Sequence, residues 1–283
     1  MQALTLFDPW KSKLCTCPLK YSFSPYIGCS HSCLYCYASS YIKDFDKPRA
    51  KKEILKKLEN DLKKLKNPYV SISNSSDPYQ HLEKKLKLTR DSLKILSRHN
   101  AKVMIITKSN LVLRDLDILK RIRVAVSITI TTLDEKKAKK LEPNASLPEE
   151  RIDALKKLNK EKIPTIARID PIIPFINENE IEELVKKVAE ANVKHIVSST
   201  YKAKIDNFKR LKAVFPEEMK KLKEIFKLGE RISGYYYLPK ELRFKLMKKV
   251  KNEAEKYNLT FAACREGFFD LNTATCDGSH LIK

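Results

Sequence analysis

Three cysteines lie within eight residues in the run Gly28-Cys29-Ser30-His31-Ser32-Cys33-Leu34-Tyr35-Cys36-Tyr37-Ala38. Cysteine thiolates are the usual ligands of iron–sulfur clusters, and spacing this close lets one loop wrap one cluster. A loop with only three thiolates leaves the fourth iron of a 4Fe–4S cluster open to another ligand. The same residues admit a zinc site in which His31 completes a tetrahedron. Zinc sites favour paired short spacings, whereas here an interval of three residues is followed by one of two and then by an aromatic. An iron–sulfur cluster is the better match.

Four further cysteines sit near the two ends, in Leu14-Cys15-Thr16-Cys17-Pro18, Ala263-Cys264-Arg265 and Thr275-Cys276-Asp277-Gly278. No apolar run reaches the length of a membrane span, and the first residues lack the pattern of a signal peptide, so a cytoplasmic location is expected. In that compartment cysteines favour metal or redox chemistry over disulfides. Compact domains commonly bring their termini together. Cys15, Cys17, Cys264 and Cys276 are therefore expected to form a second metal site, either zinc or a further Fe–S cluster. The plain alternative is that they are ordinary core thiols, which suits Cys264 after its apolar strand.

These residues are carried by a regular alternation of elements. Apolar, β-branched runs at Tyr21–Ser24, Tyr69–Ser73, Lys102–Thr107, Arg123–Ile130, Pro164–Ile169 and Lys194–Ser198 predict strands. Amphipathic stretches at Arg49–Lys66, Thr89–Arg98, Arg114–Lys120, Pro148–Asn159 and Asn177–Glu190 predict the helices between them. Such alternation implies βαβ units and a parallel sheet. The expected fold is α/β: a partial (β/α)6 barrel of the TIM type with Cys-bearing termini. The loops after its strands carry the site. Residues 1–200 are read as the barrel with its N-terminal Cys segment. Residues 201–283 are read as a basic helical extension with a short strand, Leu259–Ala263, and a Cys-containing tail packed on the barrel.

The run Pro25-Tyr26-Ile27-Gly28-Cys29 through Ala38 resembles the cluster loop of the radical S-adenosylmethionine (SAM) superfamily, and within it the spore photoproduct lyase-related group. Further blocks agree: Ser76-Asp77-Pro78-Tyr79-Gln80, Thr107-Lys108-Ser109, Ser127-Ile128-Thr129 and Arg168-Ile169-Asp170-Pro171. The likeness covers roughly residues 20–200. It implies that Cys29, Cys33 and Cys36 hold a 4Fe–4S cluster that SAM caps through its amino and carboxylate groups. Reductive cleavage would then yield a 5′-deoxyadenosyl radical that acts on a substrate. Ser76 and Asp77 would contact the SAM amino group or ribose, Lys108 its carboxylate, and Ser127 its ribose or carboxylate. Arg168 would assist Lys108, and Tyr35 would contact adenine or shield the cluster. The chemistry of SAM asks for such a set, since it carries a carboxylate, an ammonium and two ribose hydroxyls. One departure stands out. Where spore photoproduct lyases have a hydrogen-donating cysteine, two residues before the Ser-Asp pair, this chain has Asn74. Repair of the thymine photoproduct through that thiol is therefore not expected.

A net charge of +22 suggests a polyanionic partner, with nucleic acid as the leading substrate class. Residues 201–250 concentrate this charge, with 15 Lys/Arg against 6 Asp/Glu and interleaved Tyr and Phe. Basic charge with aromatics grips single-stranded nucleic acid. The competing reading is a Lys-rich helical lid whose aromatics pack on the barrel. An external electron donor such as ferredoxin or flavodoxin is implied. Two other functions remain open at this point. One is a radical SAM enzyme acting on a peptide or small metabolite; the other is a Fe–S or zinc-dependent nucleic-acid-binding protein without radical chemistry.

Overall fold

The computed structural model describes residues 2–7, 12–72 and 75–283. In chain order its strands are β1 (Thr5–Leu6), β2 (Tyr21–Phe23), β3 (Tyr26–Ile27), β4 (Arg49–Ala50), β5 (Tyr69–Ile72), β6 (Lys102–Thr107), β7 (Arg123–Thr129), β8 (Thr165–Ile172), β9 (His195–Thr200), β10 (Glu230–Ile232), β11 (Tyr235–Tyr237) and β12 (Thr260–Ala263). The α-helices are α1 (Ile54–Leu62), α2 (His81–Leu86), α3 (Leu88–Arg98), α4 (Leu116–Leu119), α5 (Glu135–Leu141), α6 (Pro148–Lys160), α7 (Ile181–Glu190), α8 (Ile205–Val214), α9 (Pro216–Lys227) and α10 (Lys240–Lys256).

The main sheet runs β1-β2-β5-β6-β7-β8-β9-β12. The six strands expected from the sequence occupy consecutive places and are parallel. β12 continues the sheet, parallel to β9, and β1 closes the other edge antiparallel to β2. Strands such as Lys102–Thr107 are apolar on both faces because both are covered. On the outer face Val103, Ile105, Val126 and Ile196 pack with Leu58, Leu93, Leu155 and Val250 of the helices. On the inner face Met104, Ala125, Ile166 and Val197 pack with Ile282 of the C-terminal tail.

That tail closes the barrel at the amino ends of the strands. Arg123 Nε, at the start of β7, donates to the Lys283 carbonyl at 2.9 Å. Gly278 lies so close to β8 that a Cβ there would stand 2.6 Å from the Ile166 side chain.

Two differences from the sequence expectation matter for the site, and one open choice is decided. The stretch Arg49–Lys66 is not helical from its start: Arg49–Ala50 pairs with Tyr26–Ile27, and the helix begins at Ile54. The pairing shapes the cysteine loop that follows Ile27, a long-range demand with no trace in helical periodicity. β8 runs on to Ile172, past a register shift against β9 between Ile169 and Ile172. The aromatics of residues 201–226 turn inward: Tyr201, Phe208, Phe215 and Phe226 share one cluster with Met219 and Leu222. Their spacing is that of a helix core face, so the lid reading describes them. Among the described residues no helix is long and apolar enough to cross a membrane.

Candidate active site at the cysteine loop

The loop that follows β3 is shaped by its glycine. Gly28 has φ +78°, and a Cβ there would meet the Phe45 carbonyl oxygen at 2.5 Å, so only glycine allows the approach. Cys29 N–H donates to that same carbonyl at 2.8 Å. Gln80 clamps the turn from the rim of the sheet, giving Nε2 to the Gly28 carbonyl at 3.1 Å and taking Ser30 N–H on Oε1 at 2.9 Å.

A second clamp comes from α8. Arg210 donates to the carbonyls of Cys33 at 3.2 Å and Cys36 at 2.7 Å, and Asn207 Nδ2 donates to the Tyr35 carbonyl at 3.2 Å. Asp206 takes the Ser39 hydroxyl at 2.7 Å. Sequence reasoning missed these residues. They lie about 170 positions from the loop they hold, and charge counting places them on a nucleic-acid surface.

Cys29 and Cys33 are buried and Cys36 is partly so. Burial, with help from the Asp77 charge, pushes the Cys29 thiol up to about 12, against backbone N–H groups of His31 and Asp77 that favour its thiolate. Burial likewise raises Cys33 and Cys36, and amides of Ala38 and Ser39 oppose it at Cys36. Buried thiols lined by N–H donors suit metal-bound thiolates, which a cationic centre would hold deprotonated. His31 pairs with Asp77, its Nδ1 lying 3.4 Å from Oδ2.

The strand ends supply the surrounding polar groups. Asp77, after β5, is saturated by protein donors. Its Oδ1 accepts from Thr107 Oγ1 at 2.7 Å and Tyr79 N–H at 2.8 Å, and its Oδ2 accepts from Lys108 N–H at 2.7 Å. Burial opposes its charge, yet His31 and these donors hold the carboxyl at about 2. Asp77 thus ties together the loops after β5 and β6. Ser76 and Ser127 differ: both are buried and neither hydroxyl has a hydrogen-bond partner among the described residues. Orphaned buried hydroxyls are costly unless a ligand meets them.

Lys108 carries its ammonium 5.7 Å over the Tyr35 ring. Burial opposes its charge, but Cys33 and Glu142 outweigh it and raise its pKa. The Tyr35 hydroxyl donates to Glu142 and lies 3.1 Å from Thr131 Oγ1. Glu142 in turn pairs with buried Arg151. This Tyr35–Glu142–Arg151 network backs the loop and has no local signal in the sequence. Arg168 does not join Lys108. It pairs with Asp170 at 2.8 Å and reaches Cys264. Ser73 and Asn74 lie outside the described residues.

The four remaining cysteines meet on the inner side of the barrel. Cys17 lies near Cys15 and Cys276, and Cys276 near Cys264, so that each thiol shifts its neighbour's. The neighbouring Cys276 lowers the Cys264 thiol to about 7 against burial. Among the described residues, no group of three or more His, Cys, Asp or Glu is arranged so that it could hold a metal ion, at this place or at the Cys29 loop.

A parallel α/β barrel with a cysteine loop and polar strand ends at one rim defines a class of cofactor-dependent radical enzymes. Residues 23–188 match the family model of the radical SAM superfamily, and the chain belongs to that superfamily. The family implies a 4Fe–4S cluster and SAM. The orphaned Ser76 and Ser127 hydroxyls and the three loop thiols fit those groups. An uncharacterised protein of Methanocaldococcus jannaschii is 39% identical over 166 residues, covering 57% of this chain and 63% of its own length. The matched region thus spans under two thirds of that relative. A protein of Acidianus two-tailed virus is 28% identical over 223 residues, covering 70% of this chain and 73% of its own. Among solved structures, a spore photoproduct lyase variant with bound SAM and dinucleoside spore photoproduct superposes with a TM-score of 0.68 at 14% identity, over 91% of this chain and 80% of that one. SuiB of Streptococcus suis, bound to SAM, gives 0.61 at 19% identity, over 93% and 55%. At those identities the likeness is one of fold.

Proposed function

We propose that this protein reductively cleaves SAM at a 4Fe–4S cluster held by Cys29, Cys33 and Cys36, and that it acts on nucleic acid. The observation that carries the first part is the conjunction of three loop thiols, two of them buried, with one ammonium and two orphaned hydroxyls. With both groups bound, the cluster supplies the electron for cleavage and SAM supplies the hydrogen-abstracting group. This chain's residues bind and orient. Lys108 takes the SAM carboxylate, and Ser76 and Ser127 meet its amino group, ribose or carboxylate. Asp77 contributes as a positioning residue, since its oxygens are already used by Thr107, Tyr79 and Lys108. Residues 1–200 form the catalytic barrel, and residues 201–283 supply the Arg210 clamp and the basic outer surface. Electrons come from an external donor such as ferredoxin or flavodoxin.

The nucleic-acid reading is supported by a cationic aromatic patch beside Cys36. Tyr37 and Tyr41 are exposed at 42% and 51%, with ring centroids 6.2 Å apart, and Tyr235 stands 6.2 Å from Tyr37. Lys204 Nζ lies 4.4 Å over the Tyr235 ring. Bases stack on such rings at about 1–3 kcal/mol each, and phosphates seek the surrounding charge. A peptide substrate would gain little from a chain of net charge +22 unless it were strongly acidic.

The test is anaerobic reconstitution and assay of 5′-deoxyadenosine with dithionite, with and without bulk RNA or DNA. The wild type should form it, and the Cys29→Ala, Cys33→Ala, Cys36→Ala triple variant should not. Cleavage retained in the triple variant would refute the cluster assignment. Nucleic acid should stimulate turnover, and Tyr37→Ala with Tyr235→Ala should weaken RNA or DNA binding. Equal turnover and no binding would leave the peptide or metabolite reading in its place.

A further inference from the structure

We propose that Arg168, Asp170 and Ser199 form a site on the inner wall of the barrel that reads the edge of one nucleobase, an inference that rests on the nucleic-acid reading above. Strand alternation places the three there. Along β8, Ala167 and Ile169 pack outward with the helices, while Ile166 faces inward with the tail. Arg168 and Asp170 continue the inward row. Along β9, Ile196 packs outward and Val197 inward, so Ser199 also faces the interior.

The inner face changes character at this level. Below it, Met104, Ala125, Ile166 and Val197 form an apolar layer around Ile282. Above it the row turns polar. Arg168 Nη2 donates to Asp170 Oδ2 at 2.8 Å, and Ser199 Oγ donates to Asp170 Oδ1 at 2.6 Å. Although they face inward, the Arg168 and Asp170 side chains keep 14% and 23% exposure, so the interior is open to them. On the neighbouring β7, Ser127 pairs in register with Ile166, and Thr129 with Arg168. The Ser127 hydroxyl is buried there with no partner among the described residues. Thr107 pairs with Ile128, which brings Lys108 to the level of Thr129 and Arg168. Two strand spacings, about 10 Å, thus separate the Lys108 backbone from that of Arg168.

The chemistry of the pair selects the ligand. An anion drawn by Arg168 would meet Asp170 only 2.8 Å from that guanidinium, and an ammonium would meet the reverse. An apolar group would desolvate both charges and return nothing. A neutral planar edge with an acceptor beside an N–H answers both, and nucleobases carry such edges. Bases differ in the order and number of these groups, so a fixed Arg–Asp pair tells them apart. The carboxylate is held ready for the task. Ser199 orients it, and Arg168 and Lys202 outweigh burial to keep it below its ordinary range. Lys202 is itself fixed by Glu266 at 2.7 Å. One base would leave the stack and enter the barrel, as enzymes that act on bases require, while its neighbours rest on the Tyr37 and Tyr235 rings.

The experiment measures binding of twelve-residue RNA strands to the reconstituted full-length protein by fluorescence polarisation at one fixed salt concentration. Each strand carries a single A, C, G or U in an otherwise abasic backbone, and a fully abasic strand serves as reference. The wild type should bind its preferred base about tenfold or more tighter than the least preferred. Asp170→Asn, which puts an amide donor where a carboxylate oxygen stood, should abolish or reorder that preference, and Arg168→Gln should do the same. Both variants should keep the wild-type Kd for the abasic strand and for SAM. Should Asp170→Asn fail to fold by circular dichroism, Ser199→Ala takes its place and should narrow the preference. Markedly weaker SAM binding in either variant would overturn the inference by assigning the pair to SAM. A wild type blind to base identity, or an unchanged order of bases in the variants, would overturn it too. If binding depends on Tyr37 and Tyr235 but ignores the base, the nucleic-acid reading stands and this inference alone falls; if no strand and no bulk RNA or DNA binds, both fall.

Discussion

In the proposed reading, Lys108 is the side chain that recognises SAM. Its ammonium stands beside Cys33 and over Tyr35, kept charged in a setting that disfavours charge. A carboxylate arriving there would form a charge-assisted hydrogen bond in partly desolvated surroundings. Lys108→Ala should therefore weaken SAM binding by about 1.5–3 kcal/mol, roughly 10- to 100-fold in Kd. Equilibrium dialysis with the reconstituted protein measures it, and an unchanged Kd would place the SAM carboxylate elsewhere. The proposal groups Ser76 and Ser127 with Lys108, because their buried hydroxyls have no hydrogen-bond partner among the described residues and would gain one from a ligand. Asp77 already accepts from Thr107 and from Lys108 N–H, so it ties two strand-end loops together, and the proposal gives it a positioning role.

Between elements, the most consequential contact is the one joining α5, α6 and the cysteine loop. Glu142 follows α5, Arg151 lies in α6, and Tyr35 is in the loop. Burial opposes the Glu142 charge, but Arg151 and Lys108 outweigh it and hold the carboxyl at about 2. A carboxyl depressed in the folded state stabilises the fold at pH above its ordinary range, and that contribution is lost as pH falls toward the folded value. Between about pH 4.5 and 2 this one group should cost about 3 kcal/mol, within the fold's overall acid response. Glu142→Gln should destabilise the protein at pH 7 by about 3–5 kcal/mol, because it strands Arg151 in the interior. It should also flatten the acid limb of the stability curve. Urea unfolding across that pH range tests both, and parallel curves for the two proteins would show that Glu142 is not ionised in the fold.

Over the molecule as a whole, the tail is a plug. Ile282 fills the inner face among Met104, Ala125, Ile166 and Val197, and Asp277 anchors Lys20 and Tyr69. Truncation after Asn272 would open that end of the barrel and remove Cys276. It should lower Tm by 10 °C or more, on the order of several kcal/mol from exposed core. A truncated chain that melts with the wild type would mean the barrel closes without its tail. The basic charge of residues 201–250 also divides at this level. Arg210, Arg243 and Lys202 are spent inside the molecule, on the cysteine loop and on Glu266, while most of the other lysines and arginines face outward.

Local pattern was enough to read the cysteine loop, the six parallel strands in their order, and the polar residue that follows a strand at Lys108; the grouping of Ser76, Lys108 and Ser127 rests on the family likeness, and Ser127 lies inside β7. The loop, the strands and that lysine are written in short windows: a spacing of thiols, an apolar run, a polar residue just after it. The remainder depends on residues far apart in the chain. Arg210 on the Cys33 carbonyl, Glu142 against Arg151, Arg168 turned toward Cys264, and the inward packing of Phe208 and Phe226 follow from which surfaces meet when the sheet coils. A lysine-rich amphipathic helix carries the same periodicity whether its basic face grips a phosphate or a backbone carbonyl. Seven cysteines likewise announce metal chemistry in any order, but only the closed barrel brings Cys15 and Cys17 to Cys276 and Cys264, because only there do the two ends of the chain reach the same inner wall.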